Sequence, residues 1–144
     1  MARSPLPCAA PLALLCSLLM LPSALLQVGM PGGVFPVPVE DEGVQKAATF
    51  AVEQYNRRSQ DSANYFKQLH IVNAQSQVVS GMKYYLTVEM VKTVCEKSSG
   101  PMAFNDIQDC GLPPRAEQEK LTCSFQVWSR PWLDMIKLLD MSCR

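Results

Sequence analysis

QLHIVNAQSQVVSGMKYYLTVEMVKTVC, residues 68–95, follows a period of two on either side of a single break. Residues 68–79 read as one long strand. Residues 83–95 read as the next, with Tyr84, Leu86, Val88 and Met90 on one face and Tyr85, Thr87, Glu89 and Val91 on the other. Alternation of this kind belongs to strands whose two faces meet different surroundings. Ser80 and Gly81 interrupt the pattern, and a glycine between two such runs lets the chain reverse, so this stretch is a hairpin.

Upstream of it the period changes. Across residues 44–56, Val44, Ala47, Ala48, Ala51, Val52 and Tyr55 recur at spacings of three and four, while Gln45, Lys46, Thr49, Glu53 and Gln54 fill the other side. That is an amphipathic helix, and its narrow, alanine-rich stripe suits close packing on a sheet. Glu40, Asp41 and Glu42 precede it, where acidic groups favour the positive end of the helix dipole. Residues 30–39, MPGGVFPVPV, are rich in proline and glycine and read as an extended arm, and residues 57–64 as a polar turn.

Downstream, residues 97–118 are polar and contain Gly100, Pro101, Pro113 and Pro114, which marks an appendage or loop rather than core. A second strand pair follows: residues 120–129 carry Leu121, Phe125 and Val127, and residues 132–143 come after Arg130 and Pro131. Proline suits the break because a hairpin tip needs no ladder donor. The reading is an arm, one helix, then four strands in two hairpins. One apolar stripe has to be buried, and an antiparallel sheet is the surface available for it, so the fold class is α+β, with one long helix packed across a twisted antiparallel sheet.

Composition narrows the function. The chain has 144 residues, with Lys+Arg and Asp+Glu both 13, so no net charge is available to hold nucleic acid or an anionic membrane. At 48% hydrophobic and 18% charged residues, it has enough apolar side chains for a core. His70 is the only histidine, which excludes a zinc site built on several histidines, and no metal or cofactor is expected. An enzyme would have to use His70 with a free thiol or an activated serine; with the later cysteines read as paired and no GxSxG-type elbow in the sequence, that reading is set aside.

Residues 1–29 read as a secretory signal: Arg3, an apolar stretch over residues 8–21, then Pro22, Ser23, Ala24 and Gly29. The apolar run is interrupted by Pro11 and falls short of the roughly 20 residues that span a bilayer. Cleavage after Gly29 and after Ala24 both stay open. The expected product is a secreted single domain over residues 30–144. Of six cysteines, Cys95, Cys110, Cys123 and Cys143 remain, an even number that suggests two disulfides, and four cysteines allow three connectivities.

These motifs resemble a known family. Gln77, Val78, Val79, Ser80 and Gly81 match the Gln-x-Val-x-Gly hairpin signature of cystatins, and Pro131-Trp132 matches the Pro-Trp of their second hairpin. Gly32 and Gly33 stand where the family keeps a glycine in its arm, and four cysteines after a signal mark the type-2, secreted group. The segments AQSQVVSG and FQVWSRPWL look like reptilian, venom-gland-type cystatins. The resemblance covers residues 30–144.

The resemblance implies a cystatin fold of about five strands, the first taken from the arm, and the sequential disulfides Cys95–Cys110 and Cys123–Cys143. It also implies reversible, tight inhibition of papain-like cysteine peptidases such as cathepsins. Their cleft is V-shaped, and it would be plugged by Gly32, the five residues Gln77, Val78, Val79, Ser80 and Gly81, and the pair Pro131 and Trp132, none of them catalytic. Gly81 would let the first tip approach the enzyme wall. Val78 and Val79 would offer apolar surface with little side-chain entropy to lose. Trp132 would be the aromatic anchor, and Gly32 would bend the arm away from the thiolate.

Three features depart from the common pattern. With cleavage after Gly29, only Met30 and Pro31 precede Gly32. Arg130 puts a cation beside the second tip. Inhibition of legumain, which some type-2 cystatins achieve through an asparagine just after the helix, is not expected, because Ser59-Gln60-Asp61 has glutamine there. The protein is expected to be a monomer. Strain at the β-branched Val79 would offer a route to a domain-swapped dimer. A cystatin-fold protein that binds some other partner and no longer inhibits is the alternative reading.

Overall fold

The computed structural model describes residues 32–144. The signal assigned to residues 1–29, and Met30 and Pro31 of the arm, lie outside them. In chain order the elements are β1 (Val34–Pro36), α1 (Glu42–Arg58), β2 (Asn64–Val79), β3 (Gly81–Glu96), the short α2 (Phe104–Gln108), β4 (Lys120–Arg130) and β5 (Met135–Cys143). The five strands form one antiparallel sheet in the order β1-β2-β3-β4-β5, each paired with its neighbour in sequence.

α1 forms where the apolar stripe predicts it and runs two residues further at each end. Those extra residues form the end turns and none of them is buried. Asp41 is the N-cap and its carboxylate accepts from the Val44 amide at 3.2 Å; Arg57 and Arg58 occupy the last turn, where the dipole is negative. All six stripe residues are buried against Phe66, Ile71, Ala74, Tyr84, Leu86, Val88, Met90, Phe125 and Val127 of the sheet. Alanine at three of the six positions keeps the helix close to the strands, and Phe125 at 1% exposure sits among the largest buried side chains.

β2 starts four residues before its expected beginning. The period of two is hidden there because the neighbours Tyr65 and Phe66 are both buried, beside a register shift between Asn64 and Phe66. Further along, between Gln68 and His70 and between Ile71 and Asn73, β2 spends one extra residue against β3 and its alternation turns over while the strand continues. Asn56 ties this stretch to α1. Its amide donates to the Phe66 carbonyl and accepts from the Phe66 N–H, both at 2.9 Å and buried.

Residues 97–118 are not merely an appendage. They contain α2, and they bury Ile107 and Cys110, along with Tyr65 and Val91, outside the main core cluster. Gln108 of α2 acts as a stand-in strand: its side chain accepts from the Gln68 amide at 2.8 Å and donates to the Gln68 carbonyl at 3.0 Å. Burial on this second face leaves only Phe104, Ile107 and Cys110 at spacings of three, too short a run among polar residues to be read as a stripe. Disulfides join Cys95 to Cys110 and Cys123 to Cys143 across separations of 15 and 20 residues, and loop closure of that length contributes about 3 kcal/mol each. No helix among the described residues is long and apolar enough to cross a membrane.

Candidate functional site

Antiparallel pairing in chain order brings three segments to one end of the sheet. β1 begins there, β2 ends and β3 begins there, and β4 ends and β5 begins there; the register runs Val34 to Gln77, Val79 to Gly81, Met82 to Ser129 and Arg130 to Met135. Gly32, the tip Val79-Ser80-Gly81 and the turn Pro131–Leu133 therefore share an edge.

At the first tip Val79 pairs with Gly81, which leaves Ser80 as the apex. Gly81 has φ +91°, a region costly for residues with a side chain. A β-carbon there would also collide with the Ser129 carbonyl oxygen and lie 2.9 Å from Arg130 Cγ. Among the described residues Asp134 alone combines a side chain with positive φ, so the left-handed residue of this tip is Gly81 and not the β-branched Val79. Val78 and Val79 are exposed.

The second tip differs from its expected form. Trp132 does not start the last strand; Pro131–Leu133 make one 3-10 turn, and Asp134 at φ 50° reverses the chain into β5, its amide donating to the Pro131 carbonyl at 3.0 Å. Trp132 is 64% exposed, far beyond what a core tryptophan shows. Leu133, also open to solvent, extends the apolar surface. Its place beside Trp132 was the available sequence signal. The arm adds exposed Val34 and Phe35, which the sequence reading left unassigned.

Two side-chain bridges hold the edge together. Gln77 donates from Nε2 to the Gly32 carbonyl at 2.7 Å, while the Tyr85 hydroxyl donates to Gln77 Oε1 at 2.9 Å. Gln77 thus holds the arm, at φ +90° for Gly32, to the first hairpin. In the other bridge Trp128 donates from Nε1 to the Ser80 carbonyl at 2.7 Å, and Arg130 donates from Nη2 to Ser80 Oγ at 3.1 Å with its guanidinium 4.9 Å above the Trp128 ring. Arg130 lies folded over its own strand.

Two groups of the domain are shifted from their ordinary titration ranges. Burial, and then Asp41 nearby, push the Tyr84 phenol above its ordinary range, so it is neutral under the core. Burial lowers the Lys97 ammonium, with Asp61 acting the other way; Lys97 caps the far end of α1 by donating to the Ser59 carbonyl at 2.8 Å. His70 is exposed on β2 with Nε2 3.9 Å from Glu89 Oε2. All four cysteines of the described residues are paired, so the thiol nucleophile a Cys/His enzyme requires is not among them.

The family description "Cystatin domain" matches residues 32–132. A cystatin of the snake Oxyuranus microlepidotus is 60% identical over 144 residues, 99% of each chain, and one of Naja kaouthia is 60% identical over 139 residues, 96% of each. The chain belongs to the cystatin family. It is a type-2 cystatin resembling those of snakes, and cystatins are inhibitors of cysteine proteases rather than enzymes. The cystatin fold is also that of dimeric human cystatin F, with TM-score 0.69 and 29% identity over 82% of this chain and 90% of that one. A salivary cystatin from the soft tick Ornithodoros moubata shares the fold at TM-score 0.64 and 23% identity, over 80% and 99%.

Proposed function

We infer that this cystatin is a secreted, reversible, tight-binding inhibitor of papain-like cysteine peptidases of the cathepsin type, and that the edge formed by the arm and the two tips enters the active-site cleft. What carries the reading is the common edge itself: Gly32, Val79 and Trp132, distant in sequence, lie at one end of the sheet, on segments joined by register and side-chain bridges. The residues proposed to bind are Gly32, Val78, Val79, Ser80, Gly81, Pro131 and Trp132, with Gln77 setting the arm. Between Val78 and Gly81, and from Pro131 to Leu133, the tips hold no charged side chain, so docking removes apolar surface from water without stripping ions of solvent. A peptide bond is not presented to the thiolate as a substrate would present it, which is how such an edge resists cleavage.

Titration of the mature protein against papain and cathepsins B, L and S tests this. Stoichiometric inhibition in the nanomolar range, about −12 kcal/mol, is the expected result; indifference of all four enzymes would instead favour a cystatin fold that serves another partner. Legumain is expected to be unaffected in the same assay. Gln60 and Asp61 are exposed at the opposite end of the sheet, and an enzyme that reads asparagine finds glutamine. The inhibitory form is the monomer, because opening the β2–β3 hairpin to swap strands would dismantle the first tip.

The arm supplies a separate prediction. Tyr85→Phe removes the hydroxyl that orients Gln77 and leaves the ring in place. Since one net hydrogen bond is worth about 1 kcal/mol, inhibition constants are expected to rise about fivefold for peptidases that contact the arm, with the melting temperature nearly unchanged. Equal constants for Tyr85→Phe and the parent would remove the arm-setting role.

A further inference from the structure

The last backbone pair that holds the first hairpin to β4 is Met82 with Ser129. Beyond it the tip has only its own β2–β3 pairing, and the end of a two-stranded hairpin frays readily. Yet Ser80 at the apex has both its carbonyl and its hydroxyl engaged by side chains 48 and 50 residues away, Trp128 at 2.7 Å and Arg130 at 3.1 Å. Arg130 stacks on Trp128 at 4.9 Å, so the two donors brace each other. Absence of a side chain at Gly81 lets the β4 backbone at Ser129 come this close.

Resting on the inhibitory reading above, we propose that Trp128 and Arg130 are positioning residues that latch the first tip to β4, so that the two tips meet a peptidase as one rigid edge. Neither needs to touch the enzyme to do so. An unlatched tip would have to be ordered at the moment of docking, and that cost falls on binding. The cation beside the second tip therefore works inside the inhibitor: its guanidinium is committed to Ser80 and Trp128.

Hydrogen exchange of the free protein, read together with association rates for papain, tests the latch. Trp128→Phe leaves an aromatic ring, though a smaller one, under Arg130 and deletes the indole N–H. It is expected to speed exchange of the Gly81 and Met82 amides about tenfold and to slow association by a similar factor. Protected α1 amides in the same spectrum show that the variant is folded. Arg130→Met is expected to slow association in the parent and to add clearly less in a Ser80→Ala background, where the bond to the Ser80 hydroxyl is already gone and only the stack on Trp128 is left to lose. An Arg130 that instead contacts the peptidase directly would cost the same in either background, and that result overturns the proposal. Unchanged tip exchange in Trp128→Phe, or faster exchange with an unaltered association rate, overturns it as well. A parent chain that does not inhibit papain overturns the inhibitory reading and the positioning role with it, whereas failure of the latch alone leaves parental inhibition intact.

Discussion

Gly81→Val is expected to weaken inhibition of papain about a thousandfold. Two independent penalties meet at this residue. Its φ of +91° is a region in which a β-branched residue pays on the order of 1–3 kcal/mol. Its β-carbon would also fall against the Ser129 carbonyl and Arg130 Cγ, and overpacking of that kind costs about 1–3 kcal/mol more. Moving the tip away from β4 relieves both at once, so the strain is released by displacing the binding edge rather than by unfolding the domain. The loss should therefore appear in the inhibition constant, at roughly 4 kcal/mol or three decades, with a much smaller change in the melting temperature. Gly81→Ala, which meets the same collision with less bulk, should fall between. An inhibition constant within threefold of the parent for Gly81→Val would show that the tip does not enter the cleft in this conformation.

Phe125→Ala reverses that pattern. Phe125 lies on β4 at 1% exposure, in the cluster that joins the sheet to the α1 stripe. Truncating it leaves a cavity between close-packed alanines and strands that have little room to collapse inward. Such substitutions cost about 3–5 kcal/mol, a large share of the roughly 5–15 kcal/mol that holds a domain together. The melting temperature is expected to fall by about 15 °C or more, while below the transition inhibition by the folded fraction stays near the parental value, since no tip residue is altered. Thermal unfolding followed by circular dichroism, alongside inhibition assays at low temperature, separates the two effects. Equal melting temperatures would mean that Phe125 does not fill the space between helix and sheet.

These two residues illustrate what could be read along the chain. Phe125 sits in an alternating run, and alternation reports burial directly because neighbouring residues on a strand face opposite ways. The same local logic revealed the α1 stripe, both hairpins and the glycine at the first tip. It failed where the pattern was locally broken. Tyr65 and Phe66, adjacent and both buried, broke the alternation at the start of β2, and Phe104, Ile107 and Cys110, though spaced by three, span too short a run in a polar segment to stand out as a helical stripe. The reversal at Asp134 was equally hidden, because a left-handed aspartate looks like any polar residue before a strand.

Local chemistry along the chain thus specified the elements, the faces they bury and the uncharged tips, all of which depend on residues a few positions apart. Folding alone selected the partnerships: Gln77 reaches Gly32 across 45 residues and Trp128 reaches Ser80 across 48. A hydrogen bond requires donor and acceptor within about 3 Å, and only the completed register of five strands brings such distant atoms that close. Neither bridge has a periodicity, and so neither leaves a trace in the order of the amino acids.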